Sequence, residues 1–297
     1  MNIDISDLSE CQAPPSFSPE NAPSYWAKLT TFKNGSFELA VTLPSPLDHH
    51  KVEEPYRGAL GDSVQPMQLR KEVMTPEEKE AANKARSVRR SRQTVRHTIK
   101  ALEADHMLTL TYRENMQDVD RLKADFKRFV RLVTAKHPDW RYVAVKETQE
   151  RGALHLHLAV KGRQDIRYLL RCWYIAIGGS IHDTGADTKG AVNVRAPHKR
   201  WRSGGKAWKC DKLAGYLTKY LGKEIEAMSL HHAKRYWSSR TIEKPTVVKF
   251  WLGATNFKDA IVESHNFVYH RGANDLSLWA ADDWQNIWIS GGGLCPF

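Results

Sequence analysis

The run Leu154-His155-Leu156-His157-Leu158 restricts what this chain can fold into more than any other feature. Strict alternation of apolar and polar residues has a period of two, which suits a strand and not a helix. His155 and His157 then share one face, and Leu154, Leu156, Leu158 and Val160 share the other. The pattern predicts a strand over Leu154 to Lys161, a preceding strand over Trp140 to Thr148, and a tight turn over Gln149 to Gly152. Folding this hairpin back sets Glu147 roughly opposite His155, within about 5 Å across the strands if it faces the same side. The apolar side is expected to pack on helices, leaving the imidazole side free for a cation. Two imidazoles and a carboxylate with open positions suit a divalent metal that must also hold a phosphate oxygen. A chain with 13 histidines also yields such a pair by chance. The plain alternative is two surface histidines on a half-exposed strand. Glu150 is a competing carboxylate, less well placed because it falls in the turn.

Around the hairpin the periodicity changes in a regular order. Met107 to Tyr112 alternates like a strand, and Val119 to Lys136 has helical spacing, with Leu122, Phe126, Phe129, Val130 and Val133 on one side. Asp165 to Ile177 is again helical, stopped by Gly178-Gly179. Val192 to Val194 reads as a short strand, and Asp211 to about Met228 as a helix. The order strand, helix, hairpin, helix, strand, helix predicts an α+β fold, an antiparallel sheet with helices packed on it. Outside it the pattern is poorer. Pro14, Pro15, Pro19 and Pro23 argue against regular structure near the start, Ser36 to Leu43 alternates weakly as a strand, and Val247 to Leu252 is a strand before a Trp-rich tail. The expected organisation is an N-terminal extension over 1–74, a basic helix over 75–105, a nuclease-like core over 106–240 and a C-terminal extension over 241–297.

Charge narrows the partner. The net charge is +11 over 297 residues, which favours a polyanion. Thr75-Pro76-Glu77-Glu78 has the chemistry of a helix start: a capping hydroxyl, a proline at the first position, and carboxylates at the positive end of the dipole. The helix it opens, to about Ala104, carries Lys84, Arg86, Arg89, Arg90, Arg92, Arg96 and Lys100. Such density repels itself unless a polyanion or carboxylates neutralise it. A solvated face is the bland reading, and a nucleic-acid backbone contact the favoured one. Lys199, Arg200, Arg202 and Lys206 lie in a second basic stretch, Arg195 to Lys209, best read as a loop on the same ligand. No stretch is long and apolar enough to span a membrane. The acidic N-terminus does not read as a secretory signal. Four scattered cysteines without a Cys-x-x-Cys pair fit a reducing, cytoplasmic setting.

The helix from Asp211 holds Tyr216-Leu217-Thr218-Lys219-Tyr220-Leu221-Gly222-Lys223, a Tyr-x-x-Lys pair repeated in tandem. Residues four apart share a helix face at about 5–6 Å. Leu213, Leu217 and Leu221 give that helix an apolar stripe for docking on the sheet. A phenol near pKa 10 is a poor nucleophile at neutral pH without help, which Lys219 or Lys223, or a metal on the phosphate, can supply. Alone, the tyrosines read as amphipathic packing residues with wet tips. Together with the histidine hairpin and the basic helix they form a set in which each part needs the others.

Three segments, in this order, resemble the motifs of the HUH endonucleases, the His–hydrophobic–His nucleases that start rolling-circle replication. They are Leu108 to Tyr112, Gly152-Ala153-Leu154-His155-Leu156-His157 with Glu147 as the matching carboxylate, and Gly215-Tyr216-Leu217-Thr218-Lys219-Tyr220. The resemblance covers about 106 to 240 and is nearest to two-tyrosine initiators of bacteria and phages. The segment Lys234 to Arg240 also looks similar to that group. The tyrosine follows the histidines, whereas in relaxases it precedes them. The resemblance implies a Mg or Mn ion on His155, His157 and Glu147, attack on single-stranded DNA by Tyr216, a covalent 5′-phosphotyrosine link, and a free 3′ hydroxyl. Tyr220 is then a second nucleophile. A phosphate-binding loop for a helicase motor is missing, since Ser203-Gly204-Gly205-Lys206-Ala207 lacks its first glycine and its hydroxyl residue. A host helicase and polymerase are therefore expected partners. Competing readings are a transposase of the same chemistry, a non-catalytic nucleic-acid-binding protein, and a metal phosphodiesterase using water.

Overall fold

The structure, a computed structural model, describes residues 24–43, 75–180, 182, 188–195, 210–227, 236–254, 256–281 and 286–294. In chain order the elements are β1 (Ser24–Thr31), β2 (Phe37–Thr42), α1 (Pro76–Leu102), β3 (His106–Tyr112), α2 (Val119–Lys136), β4 (Tyr142–Thr148), β5 (Leu154–Val160) and α3 (Ile166–Ala176). They continue with β6 (Gly190–Arg195), α4 (Cys210–Ala227), β7 (Tyr236–Ser238), β8 (Thr246–Gly253), α5 (Phe257–Tyr269), β9 (Asn274–Ala280) and β10 (Asn286–Gly292). Two compact units result: a central one, Val73–Lys244, and a flanking one built from Met1–Glu72 with Pro245–Phe297.

The central unit has the α+β architecture expected from the element order. Its five strands run β6-β3-β5-β4-β7, all antiparallel. Period-two alternation divides the side chains between two cores. Leu108, Leu110, Ala144, Leu154, Leu156, Leu158 and Val160 pack with Leu122, Phe126 and Phe129 of α2 and Leu169 and Trp173 of α3. Met107, Val143, Val145 and Ala159, on the opposite face, pack with Val95 and Ile99 of α1 and Leu213, Leu217 and Leu221 of α4. The expectation of an open imidazole side is therefore corrected, because α1 and α4 cover it. The cause is that Val143, Val145 and Ala159 make that face apolar beyond the two histidines.

Local chemistry sets the boundaries of these elements. Thr75 accepts from Glu78 N at 3.2 Å while Glu78 Oε2 accepts from Thr75 N at 2.8 Å, a reciprocal capping box that starts α1. The carboxylates of Asp118 and Asp165 cap α2 and α3 by accepting from backbone amides of the first turn. Only the last turns of α1 are buried, through Val95, Ile99 and Leu102, and its earlier turns are exposed or half-buried. Lys100 and Asp211 pair at 2.9 Å and the Cys210 thiol donates to Ile99 O at 3.3 Å, so α4 is tied to the buried end of α1. Burial pushes the Cys210 thiol up to about 12, and it stays protonated to make that bond. In the β4–β5 turn Gly152 has φ +85°, and a Cβ there would meet Gln117 Nε2 at 2.8 Å. Glycine is required on both counts.

The flanking unit joins chain segments on either side of the central one. Its sheet order is β8-β1-β2-β10-β9, again antiparallel throughout. Ala27, Leu29, Phe37, Leu39, Val41, Ile287 and Ile289 form its core with Ala260, Ile261 and Val268 of α5. The strands expected near Ser36–Leu43 and Val247–Leu252 are β2 and β8. In contrast, β1, β9 and β10 carry tryptophans between their core residues, so apolar–polar alternation is blurred and the strands escape a reading by periodicity. The proline-rich start and the Arg195–Lys209 basic stretch beyond Arg195 lie outside the described residues.

Candidate functional site

The hairpin register follows from the Gln149–Gly152 turn, closed by Gln149 N to Ala153 O at 2.9 Å and Gly152 N to Gln149 O at 2.8 Å. It places Glu147 opposite His155 and Val145 opposite His157. On the other side of β5, Thr109 of β3 is the partner of His157. Both histidines are almost covered, with His155 at 8% and His157 at 7% exposure. A pair of solvated surface histidines does not describe them.

The polar contacts are specific. Glu147 Oε2 lies 2.5 Å from His157 Nε2, one step diagonally from its register partner. Thr109 Oγ1 lies 3.1 Å from His157 Nδ1, so both ring nitrogens of His157 are held. This is the arrangement in which a neighbouring group fixes ring orientation and tautomer. Nothing in the sequence pattern singles out Thr109 for this. The signal is only its strand parity with Met107 and Thr111, readable once the β3–β5 register is known. His155 Nε2 is buried without a hydrogen-bond partner. Burial holds the His155 imidazole below its ordinary range against the opposing pull of Glu147, so at pH 7 it is neutral. A neutral, buried nitrogen with no donor or acceptor beside it costs free energy unless a ligand meets it.

Helix α4 brings the tyrosines to the same place. Leu213, Leu217 and Leu221 are fully buried against the sheet. That stripe turns Tyr220 so that its ring stacks on the His157 imidazole, with centroids 4.5 Å apart and planes 14° from parallel. Tyr220 Oη donates to Tyr216 Oη at 2.5 Å, and the two rings meet edge to face at 5.2 Å. Residues distant in sequence thus converge on one sheet face. Lys219 is exposed on the same helix, and Lys223 lies in its last turns with its side chain outside the described residues.

Of the basic candidates, Arg86, Arg89, Arg90 and Arg92 are exposed and Arg96 is half-buried. Arg86 and Arg90 line a cleft of about 250 Å³ together with Asn83, Ser87, Thr94 and Tyr236, between α1 and β7. Lys100 is buried and ion-paired with Asp211, so it belongs to the helix packing and not to an exposed basic face. Lys199, Arg200, Arg202 and Lys206 lie outside the described residues.

Residues 105–225 match a family model described as the replication-associated protein ORF2 family. This central domain belongs to that family. The matched span runs from the start of β3 into α4 and takes in Glu147, both histidines and both tyrosines. No curated protein and no solved structure matches the chain. In this replication-associated domain, among the described residues, no three His, Cys, Asp or Glu side chains are gathered into a ready metal cage, because Glu147 turns to His157 and leaves His155 Nε2 alone. Two imidazoles and a carboxylate on one face nevertheless fit a divalent cation in kind. The orphaned buried nitrogen is the feature such an ion would satisfy. Cys172 and Cys210 are free thiols and both pack within the domain, apart from this set. Among the described residues no helix is long and apolar enough to cross a membrane.

Proposed function

We propose that the chain nicks and rejoins one DNA strand through a tyrosine during initiation of rolling-circle replication. The observation that carries this reading is the stack of Tyr220 on His157, with the Tyr216 phenol 2.5 Å from that of Tyr220. A tyrosine pair that only packed would have no reason to sit against an imidazole held on both sides. The replication-associated family of residues 105–225 favours replication over transposition.

Tyr216 is the first nucleophile in this scheme. The hydrogen bond from Tyr220 Oη orients the Tyr216 oxygen and stabilises negative charge there as its proton leaves. That oxygen attacks phosphorus of the scissile phosphate and forms a phosphotyrosine ester. The bond to the 3′ oxygen breaks, and the departing oxygen takes a proton to become the free 3′ hydroxyl. Phosphoester is exchanged for phosphoester, so rejoining by the reverse attack needs no ATP. Tyr220 then serves as nucleophile for a second phosphate, since both phenols lie on one helix face. His155, His157 and Glu147 would hold a Mg or Mn ion, which when bound polarises the phosphate toward attack. Thr109 keeps the His157 ring in place, and exposed Lys219 adds positive charge near the reacting group. The α1 arginines guide the DNA backbone, with Arg86 and Arg90 in the cleft beside Tyr236. A host helicase would separate the strands and a host polymerase extend the 3′ end.

The test is to incubate the full chain with single-stranded origin DNA and Mn, then denature and look for a covalent adduct. Tyr216→Phe is expected to lose the adduct and about 10³-fold or more of nicking, in line with removal of a nucleophile. Tyr220→Phe should still nick once and fail at repeated rounds. Cleavage without an adduct would assign the chemistry to water, and binding without cleavage would leave a non-catalytic DNA-binding protein.

A further inference from the structure

The flanking unit has one face that the nuclease scheme does not use. On β1, Tyr25, Ala27 and Leu29 enter the core with α5, so Trp26, Lys28 and Thr30 point the other way. The same parity applies to Lys249 and Trp251 on β8, which alternate with Phe250 and Leu252 of the core. It applies equally to Trp279 on β9, between Leu278 and Ala280, and to Trp288 on β10, between Ile287 and Ile289. Four of the chain's ten tryptophans are thus on one face of one sheet, too many for chance packing.

The register arranges them. One row across the strands runs Trp251, Trp26, Thr42, Asn286. The next runs Lys249, Lys28, Ala40, Trp288, Trp279. Two aromatic pairs, one at each side of the sheet, therefore flank the small residues Ala40 and Thr42 of the middle strand. The Trp26 and Trp251 rings meet edge to face at 5.0 Å, and Trp279 is 45% exposed. Lys249 is exposed beside Trp251, directly opposite Lys28. In a third row Thr30, Glu38 and Ser290 are buried, so the accessible part of the face is chiefly the first two rows.

We infer that this tryptophan and lysine face binds single-stranded DNA by stacking bases on the indoles and holding phosphates at the lysines. The two open rows contain no Leu, Ile, Val or Met, the residues a protein partner or a buried core would bring. Indoles offer flat surfaces to unpaired bases of any sequence, and two lysines set opposite each other on a sheet concentrate positive charge that suits a phosphate. The chain's charge of +11 attracts the same ligand. The site rests on the reading that single-stranded DNA is the substrate, and it would hold the displaced strand while the nick persists.

The experiment is equilibrium binding of a fluorescent oligo(dT) to the full chain in chelator, where cleavage plays no part. Trp279→Leu and Trp288→Leu are expected each to weaken binding about tenfold, since base–aromatic stacking spans roughly 1–3 kcal/mol per base. Trp279→Phe keeps a ring and should restore most of the affinity at an unchanged melting temperature. Lys249→Gln should reduce the salt dependence by about one counterion. A duplex of equal length should compete poorly. Unchanged oligo(dT) affinity in both leucine variants overturns the site. So does unchanged affinity with a shift in oligomeric state, which would make the face a contact between copies. Because nicking is read separately, a chain that binds oligo(dT) through these tryptophans but never cleaves would overturn the nuclease reading and leave this one standing.

Discussion

The central and flanking units are both five-stranded antiparallel sheets, yet they treat polar and aromatic side chains in opposite ways. In the central unit, helices cover both faces and the histidines lie beneath α1 and α4, nearly out of water. In the flanking unit, α5 covers one face and the other displays tryptophans and lysines, with Trp279 nearly half exposed. The difference is one of task. A transferred phosphoryl group is served by fixed charges in a water-poor site, where electrostatic effects are strong. Base stacking needs the reverse, a wide platform that a flexible strand can reach from solvent. The same strand geometry supports either, and what differs is which residues alternate with the core.

The comparison can be broken first at the histidines. His155→Ala or His157→Ala should lower nicking by about 10³-fold with Mn present, the range expected when a ligand or positioned electrostatic group is removed. Oligo(dT) affinity in chelator should not move, because the flanking sheet is untouched. Full nicking by either variant in chelator would show that the buried imidazoles are core residues only. A smaller effect should come from Thr109→Val, which keeps the shape and removes the hydroxyl on His157 Nδ1. Loss of such an outer partner costs about 10–100-fold in metal affinity or activity, and the metal requirement measured by titration should rise in step. Activity restored by Thr109→Ser would show that the hydroxyl, not the packing, is responsible. The smallest effect concerns α1. Neutralising Arg89, Arg90 and Arg92 together should flatten the plot of log affinity against log salt for origin DNA by about three units, near one per phosphate contact. Nicking at low salt should persist. An unchanged slope would make these exposed arginines a solvated helix face.

Much of the central unit is legible in the sequence because its rules are local. The alternation of Leu154 to Leu158 states a strand, Thr75 to Glu78 states a helix start, and the spacing of Leu213, Leu217 and Leu221 states which face of α4 is buried. The pairing of Glu147 with His155 follows from the length of one tight turn. The flanking unit is less legible for two physical reasons. Its sheet joins β1 and β2 to strands more than 200 residues later, and sequence spacing carries no signal for such a pairing. Its binding face is also aromatic, so Trp26, Trp251, Trp279 and Trp288 resemble core residues when only hydrophobicity is counted.

What the sequence by itself determined, then, is the inventory and parity of the site: two imidazoles and a carboxylate on one hairpin, two phenols one helical turn apart, and arginines on an exposed helix. Tertiary structure alone decided that Glu147 turns to His157 and leaves His155 Nε2 without a partner, and that Thr109 closes the other side of the His157 ring. It also set Tyr220 on the His157 imidazole and withdrew Lys100 from the basic face into a pair with Asp211. The reason is the same in each case. Parity and helical spacing are properties of a single element and are written in consecutive residues. The direction in which a side chain finally turns is settled by the neighbour packed against it, and here that neighbour comes from another strand or from α4, far away in the chain.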